Sequence, residues 1–400
     1  MTPLVLSHYT ASCCVGAGLR PLEAALREAR GGLRPCSFET VDLDIHVGEV
    51  AGVDVERLPA SLRDYDCRNN RLAHLALRQD GFADAVRELV ARVSRRRIGL
   101  FLGTSTSGIL ETELAYRHRD PVSGALPAGF CYRGTHNTYS VAAFVRELLQ
   151  LDGPAVVVST ACSSSAKVFG SAQRMIEAGV IDAALVGGVD SLCLTTLYGF
   201  HSLQLTSRSP CRPFAADRDG LSIGEAAAFA LLERPGSTAS ASSIALLGVG
   251  ESSDAYHLSS PHPDGRGARQ AMSAALVAAG VEPAQVDYLN LHGTATPSND
   301  RAESLAVVGL LGAQIPCSST KGATGHTLGA AGGLEAVISA LAISGSFMPA
   351  GINTVEVDAT LGVNYLTAAR EAAVARVLSN SFGFGGTNCS LLLGRLGRNA

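Results

Sequence analysis

The sequence predicts an α/β fold. Short, continuous apolar runs recur along the chain, and stretches with apolar residues at helical spacing lie between several of them. Runs without polar alternation suit strands covered on both faces, as in a sheet flanked by helices. In chain order they are Ile98–Gly103 (IGLFLG), Ala155–Thr160 (AVVVST), Ala183–Gly188 (AALVGG), Ala226–Leu232 (AAAFALL), Ile244–Gly250 (IALLGVG) and Asp287–Leu291 (DYLNL). Within Ser163–Ala178, the residues Val168, Phe169, Ala172, Met175 and Ile176 recur as one helical face, and Gly179 supplies a stop. Ala268–Ala279, entered through Gly265 and Gly267, and Leu334–Ile343 read as further helices, and strand-like runs surround Gly383–Asn388.

A chain of 400 residues with 46% hydrophobic content can bury a large core, and its length suits two domains or two joined halves. The clearest low-complexity stretch, STASASS at 237–243, places the division between residues 1–243 and 244–400. Charged residues make up 17% and the formal net charge is −4, which speaks against nucleic acid as a partner. The opening MTPLVLSHYTASCCVGAGLRP has neither a basic leader with an apolar segment nor a cleavage site, and no apolar run reads as long enough to span a membrane. Ten cysteines at irregular spacing, with Cys13 beside Cys14 and no CxxC, fit neither a disulfide framework nor a zinc site. A reducing cytoplasm is the expected location.

Cys162 stands in VVVSTACSSSAKVFG, where a buried strand gives way to a turn and then a helix. A helix start offers free N–H groups and the positive end of the dipole, which favour a thiolate below the ordinary value of about 8.5 and can stabilise an oxyanion. Ser163, Ser164 and Ser165 can cap the same helix, and a small buried cysteine is the plainer alternative. Two histidines favour chemistry. His292 in LHGTATPSND and His326 in TKGATGHTLGAAGG both lie in small-residue, turn-rich strings near strand ends. They are too far apart for one local metal site and no carboxylate or cysteine cluster accompanies them, so no metal is expected and convergence on the cysteine is the alternative. In SNSFGFGGTN, Gly383, Gly385 and Gly386 surround Phe384, which permits a tight turn presenting backbone N–H groups, or an ordinary hairpin with a packed ring.

These strings together resemble the β-ketoacyl-acyl-carrier-protein synthases of the thiolase superfamily, in the elongating form with a Cys-His-His site. The likeness rests on the order and separation of TACSSS (160–165), CRPFAADRDGLSIGEAAA (211–228), DAYHLSSPHPDG (254–265), HGTATPSNDRAE (292–303), STKGATGHTLGAAGG (319–333) and NSFGFGGTN (380–388). It implies the thiolase fold, two related halves in a five-layer α-β-α-β-α arrangement, and decarboxylative condensation with malonyl-acyl carrier protein. Cys162 would carry the acyl group, with the N–H groups of Cys162 and Phe384 as oxyanion hole, and neutral His292 and His326 would stabilise the charge that grows on the malonyl thioester. Lys321 and Glu335 would form a supporting buried ion pair. Thr294 and Thr296 would hold the phosphopantetheine arm, Phe384 would gate the pockets, and Phe382 and Thr106 would touch substrate. Arg63, Arg68, Arg71 and Arg208 match the docking surface for an acidic carrier protein. No cofactor is implied beyond the phosphopantetheine that the carrier brings. A homodimer is implied, or a heterodimer with a related ketosynthase-like subunit.

The chain departs from the fatty-acid pattern in places. GTSTSG at 103–108 puts Thr106 where an apolar side chain often shapes the acyl pocket, and TACSSS is more similar to polyketide-type synthases, so a polyketide or aryl polyene pathway is a live subclass. A thiolase would need a second cysteine where Phe384 stands, and an initiating synthase would have asparagine in place of His326. A non-catalytic, chain-length-setting partner subunit is the alternative from another class, although such subunits generally lose the nucleophile.

Overall fold

The computed structural model describes residues 1–236 and 239–397; Ser237 and Thr238 of the STASASS stretch, and residues 398–400, lie outside the described residues. The first half contributes strands β1 (Leu4–Cys13), β2 (Ile98–Gly103), β3 (Ala155–Val158), β4 (Ala183–Asp190) and β5 (Ala226–Glu233). The second contributes β6 (Ile244–Ser253), β7 (Tyr288–Asn290), β8 (Pro316–Ser318), β9 (Arg376–Gly383) and β10 (Thr387–Arg395). Spatially the first set runs β3-β2-β4-β5-β1 and the second β8-β7-β9-β10-β6, so both halves use the same topology. The pairing repeats as well. β2 is parallel to β3 and β4, while β5 is antiparallel to β4 and β1. β7 is parallel to β8 and β9, while β10 is antiparallel to β9 and β6. The halves join where β1 meets β6, through Leu4 opposite Leu246 and Val5 opposite Ala245.

Seven helices matter for the layers: α1 (Arg68–Leu77), α2 (Phe82–Arg92), α3 (Ser140–Leu148), α4 (Ser164–Glu177), α5 (Arg266–Ala279), α6 (Pro297–Leu311) and α7 (Ala331–Gly345). Alternate residues of a strand face opposite layers, and the cores follow that alternation. Leu100 and Leu102 of β2 pack outward with Leu72, Phe82 and Phe144 of α1, α2 and α3. Phe101 between them packs inward with Val168 and Phe169 of α4 and Ala340 of α7. In the second half Leu391 and Leu393 face inward to the same central core, while Leu392 faces outward to Met272 of α5 and Val307 of α6. Two helices, α4 and α7, are therefore sandwiched between two sheets that are covered outside by other helices, the five layers of the thiolase fold.

Two features differ from the sequence reading. Strand β1 escapes it because Ser7, His8, Thr10 and Ser12 interrupt the apolar residues; Thr10 is fully buried, and its hydroxyl bonds Asp80 at 2.7 Å. The stretch Leu328–Gly345 is long and apolar enough to cross a membrane, contrary to the reading of apolar runs, yet it lies 89% buried inside the fold. Its all-round apolarity reflects its place between two sheets.

Candidate active site

Cys162 sits at the sharp turn between β3 and α4. Ala161 adopts φ +52, a left-handed conformation unfavourable for a residue with a side chain. Ser164 holds that turn by donating to the Ala161 carbonyl at 2.6 Å and accepting from the Thr160 N–H at 2.9 Å. The sulfur is buried, and the backbone N–H groups of Phe384 and of Cys162 itself favour its charged form. Burial pushes the Cys162 thiol up to about 11, against the opposing pulls of the Lys321 charge and these N–H groups. The expected lowering by the helix start is thus outweighed by desolvation, and the resting nucleophile is a thiol.

The histidines arrive from the second half. His292 follows the end of β7, and its turn is clamped by Glu303 of α6, whose carboxylate accepts from the N–H groups of His292 and Gly293, each at 2.8 Å, and from Asn380 at 3.0 Å. His326 follows β8 and the short helix Lys321–Thr324; its N–H donates to the Ser222 carbonyl at 2.7 Å. His326 Nε2 lies 3.0 Å from Cys162 Sγ, and the two imidazoles stand 5.3 Å apart, edge to face at 85°. One ligand atom from each of Cys162, His292 and His326 falls within 4.8 Å of the others. The fold repeat explains this convergence, since Cys162 follows the third strand of the first half and His326 the third strand of the second, each just before its central helix.

Burial drives both imidazoles well below the ordinary histidine range, with the Lys321 charge adding in the same direction, so both are neutral near pH 7. Two neutral imidazoles and a sulfur this close also suit a soft divalent cation, but the Lys321 ammonium that acts on all three opposes one. Lys321 Nζ donates to Glu335 Oε1, and both side chains are almost wholly buried. Glu335 is pushed up to about 7 by burial, with Lys321 pulling the other way.

A cavity of about 50 Å³ opens onto this cluster, lined among others by Cys162, His292, His326, Thr294, Thr296, Phe382 and Phe384. Thr294 and Thr296 share a hydroxyl hydrogen bond of 2.8 Å, the Phe384 ring lies 5.5 Å from that of Phe200, and the Phe382 ring lies 5.8 Å from His292. Phe384 sits in the turn between β9 and β10, where Gly385 takes φ +78, a conformation open to glycine.

Three sequence-derived positions fall elsewhere. Thr106 is buried, and its N–H and hydroxyl both bond Asp190 at 2.9 Å, so its hydroxyl serves the loop and is not among the cavity's lining groups. Arg68 is 5% exposed, paired with Glu225 (2.6 and 2.8 Å), Asp54 (2.6 Å) and Glu49 (3.1 Å). A guanidinium closed into that network cannot dock a carrier protein, which corrects the expectation for Arg68. Arg71 is half-buried and bidentate to Asp66 at 2.5 and 2.9 Å, leaving Arg63 and Arg208 as the exposed members of the set. Glu303, Asn380 and Phe200 were missed; the first two stand inside the strings HGTATPSNDRAE and NSFGFGGTN, and their place beside His292 and Phe384 in those strings was the available signal.

The comparisons with known proteins agree with this geometry. Residues 71–236 match the N-terminal domain of the Beta-ketoacyl synthase family and residues 244–355 its C-terminal domain. The chain is 43% identical to 3-oxoacyl-[acyl-carrier-protein] synthase 2 of Rhizobium meliloti over 264 residues, an alignment that spans 62% of each protein. It is 32% identical to 3-oxoacyl-[acyl-carrier-protein] synthase 2 of Synechocystis over an alignment covering 97% of each. Among solved structures it is similar to the ketosynthase ApeO in complex with its chain length factor ApeC from Xenorhabdus doucetiae, with a TM-score of 0.88 and 37% identity over 98% of both chains. A duplicated sheet topology, a cysteine and two histidines drawn together by it, and likeness along nearly the whole chain lead to one conclusion: this chain belongs to the β-ketoacyl synthase family.

Proposed function

We propose that this chain catalyses the decarboxylative Claisen condensation of an acyl group held on Cys162 with malonyl-acyl carrier protein, elongating a fatty-acid, polyene or polyketide chain. The observation that carries the reading is the 3.0 Å approach of His326 Nε2 to the Cys162 sulfur beside neutral His292. In the first step Sγ attacks the acyl thioester carbon while His326 Nε2 accepts the thiol proton, and the oxyanion rests on the N–H groups of Cys162 and Phe384. Collapse breaks the carbon–sulfur bond to the carrier, whose departing sulfur takes the proton back.

In the second step the malonyl carboxylate leaves as carbon dioxide, and the electron pair of the broken bond enters the thioester as an enolate. N–H groups of the neutral imidazoles stabilise its oxygen. The enolate carbon attacks the acyl-enzyme, a carbon–carbon bond forms, and Cys162 leaves as thiolate, which takes up a proton from solvent because its first proton departed with the carrier thiol. Among the described residues Nδ1 of His292 and of His326 has no hydrogen-bond partner, so no protein group locks either tautomer and Nε2 can serve as acceptor in one step and donor in the next. Burial and the Lys321 charge return both rings to the neutral form between proton transfers.

The acyl carrier protein brings the phosphopantetheine arm, for which Thr294 and Thr296 supply hydroxyls at the cavity, and we assign no other cofactor. Arg63 and Arg208 are exposed cations able to meet an acidic carrier. By analogy with the ApeO complex, we assign a related ketosynthase-like subunit as partner, with a homodimer as the other form. The catalytic cluster on this chain favours the condensing role over the silent partner. Ten free cysteines suit the reducing cytoplasm, where we place it. Detection of a β-ketoacyl carrier protein by mass spectrometry, from acyl and malonyl carrier proteins, tests the reading; release of carbon dioxide without a longer chain would oppose it.

A further inference from the structure

We infer that Ser163 and Thr387 act together as positioning residues for the oxyanion hole, joining its two N–H donors through a hydroxyl–hydroxyl hydrogen bond. The inference rests on the condensing role proposed above and names how its acyl-transfer site is held. The donors belong to distant parts of the chain: Cys162 to the turn before α4, Phe384 to the turn between β9 and β10. Oxyanion stabilisation requires both N–H groups to be aimed in advance at one oxygen. The relative placement of the two turns is therefore a catalytic quantity.

Ser163 directly follows the nucleophile and is fully buried. Its hydroxyl donates to the Thr160 carbonyl at 2.9 Å and lies 3.0 Å from the Thr387 hydroxyl and 3.1 Å from the Thr160 hydroxyl. A serine has one proton to give and two lone pairs. With the proton committed to the Thr160 carbonyl, Ser163 accepts from Thr387, the first residue of β10 and three positions beyond Phe384. The contact ties the nucleophile turn to the far end of the turn that carries the second donor. At the near end, a Cβ on Gly383 would come within 2.8 Å of the Thr160 carbonyl and 3.3 Å of the Cys162 nitrogen, so the two turns also press together there. Thus a close backbone contact fixes one end of the turn and the Ser163–Thr387 bond fixes the other.

The test compares acylation with alkylation in Ser163→Ala, Thr387→Val, Thr387→Ser and the Ser163→Ala/Thr387→Val pair. Acylation by an acyl carrier protein bearing a short saturated chain needs the oxyanion hole; alkylation of Cys162 by iodoacetamide forms no oxyanion. Rates are expressed per titratable Cys162 thiol, so partial misfolding drops out. Ser163→Ala and Thr387→Val should each slow acylation about tenfold while alkylation stays within about twofold. Thr387→Ser should restore the wild-type rate, and the double variant should be no slower than the slower single one. Unchanged acylation in both single variants, multiplying effects in the double, alkylation falling in parallel, or Thr387→Ser as slow as Thr387→Val would each overturn the inference. Failure of the wild-type enzyme to acylate Cys162 would instead remove the condensing role itself.

Discussion

His326 Nε2 stands 3.0 Å from Cys162 Sγ although 164 residues separate them in the chain. Each residue follows the third strand of its half and precedes one of the two central helices, so the duplicated topology places them face to face. The thiol is held protonated by burial and the imidazole is held neutral by burial and by Lys321. This pairing makes proton transfer concerted with attack the accessible route, and several outcomes follow from it.

The free enzyme's Cys162 should show no reactive plateau near neutrality. Because burial raises its pKa to about 11, the thiolate fraction increases about tenfold per pH unit until that value is approached. Iodoacetamide alkylation, followed on the Cys162 peptide, should therefore rise steadily from pH 7 to pH 10. A plateau by pH 8 would show that the helix start prevails over desolvation.

His292 does not receive the thiol proton in this scheme, so His292→Ala should still form the acyl-enzyme. Loss of one donor to the enolate oxygen should slow decarboxylation of malonyl carrier protein by about 100-fold or more. Acyl-enzyme mass and carbon dioxide release measure the two steps separately. Equal losses in both would refute the division of labour.

Lys321→Met removes the partner of a buried carboxylate and should cost about 3–5 kcal/mol of stability. Glu335 already sits near 7 through burial, and without the ammonium it should be driven higher and protonate. Lys321→Met/Glu335→Leu should recover most of the stability without recovering condensation, as read by denaturant unfolding and product formation. Full activity in that double variant would confine the pair to a structural role.

The arginines separate by burial. Arg68→Met should destabilise the fold by about 3–5 kcal/mol, because it strands Glu225 among buried groups. Arg208→Glu should leave the melting temperature unchanged and raise the KM for carrier protein several-fold, an effect that added salt diminishes. The reverse pattern would restore Arg68 to the docking surface.

The sequence disclosed strands and helices wherever one uninterrupted pattern sufficed. IGLFLG spans β2 from end to end, and Ser163–Ala178 brackets α4 to within a residue. It disclosed Cys162, His292 and His326 because chemistry-bearing residues in small-residue turns leave a local trace. The shared strand order of the two halves left none, since topology is set by long-range pairing with no common residues required. Strand β1 and the burial of Arg68 were hidden for a related reason: Thr10 and Arg68 are polar residues satisfied inside by Asp80 and Glu225, partners far away in sequence. The rise in the Cys162 pKa was equally out of reach, because a helix start is a local feature and desolvation depends on everything packed around it.

The most direct measurement is the intact and peptide-resolved mass of the protein after exposure to an acyl carrier protein bearing its acyl chain. One acyl group should appear on the Cys162 peptide of the wild-type enzyme, leave when malonyl carrier protein is added, and be absent from Cys162→Ala. An acyl group on any other residue, or undiminished labelling of Cys162→Ala, would contradict the account.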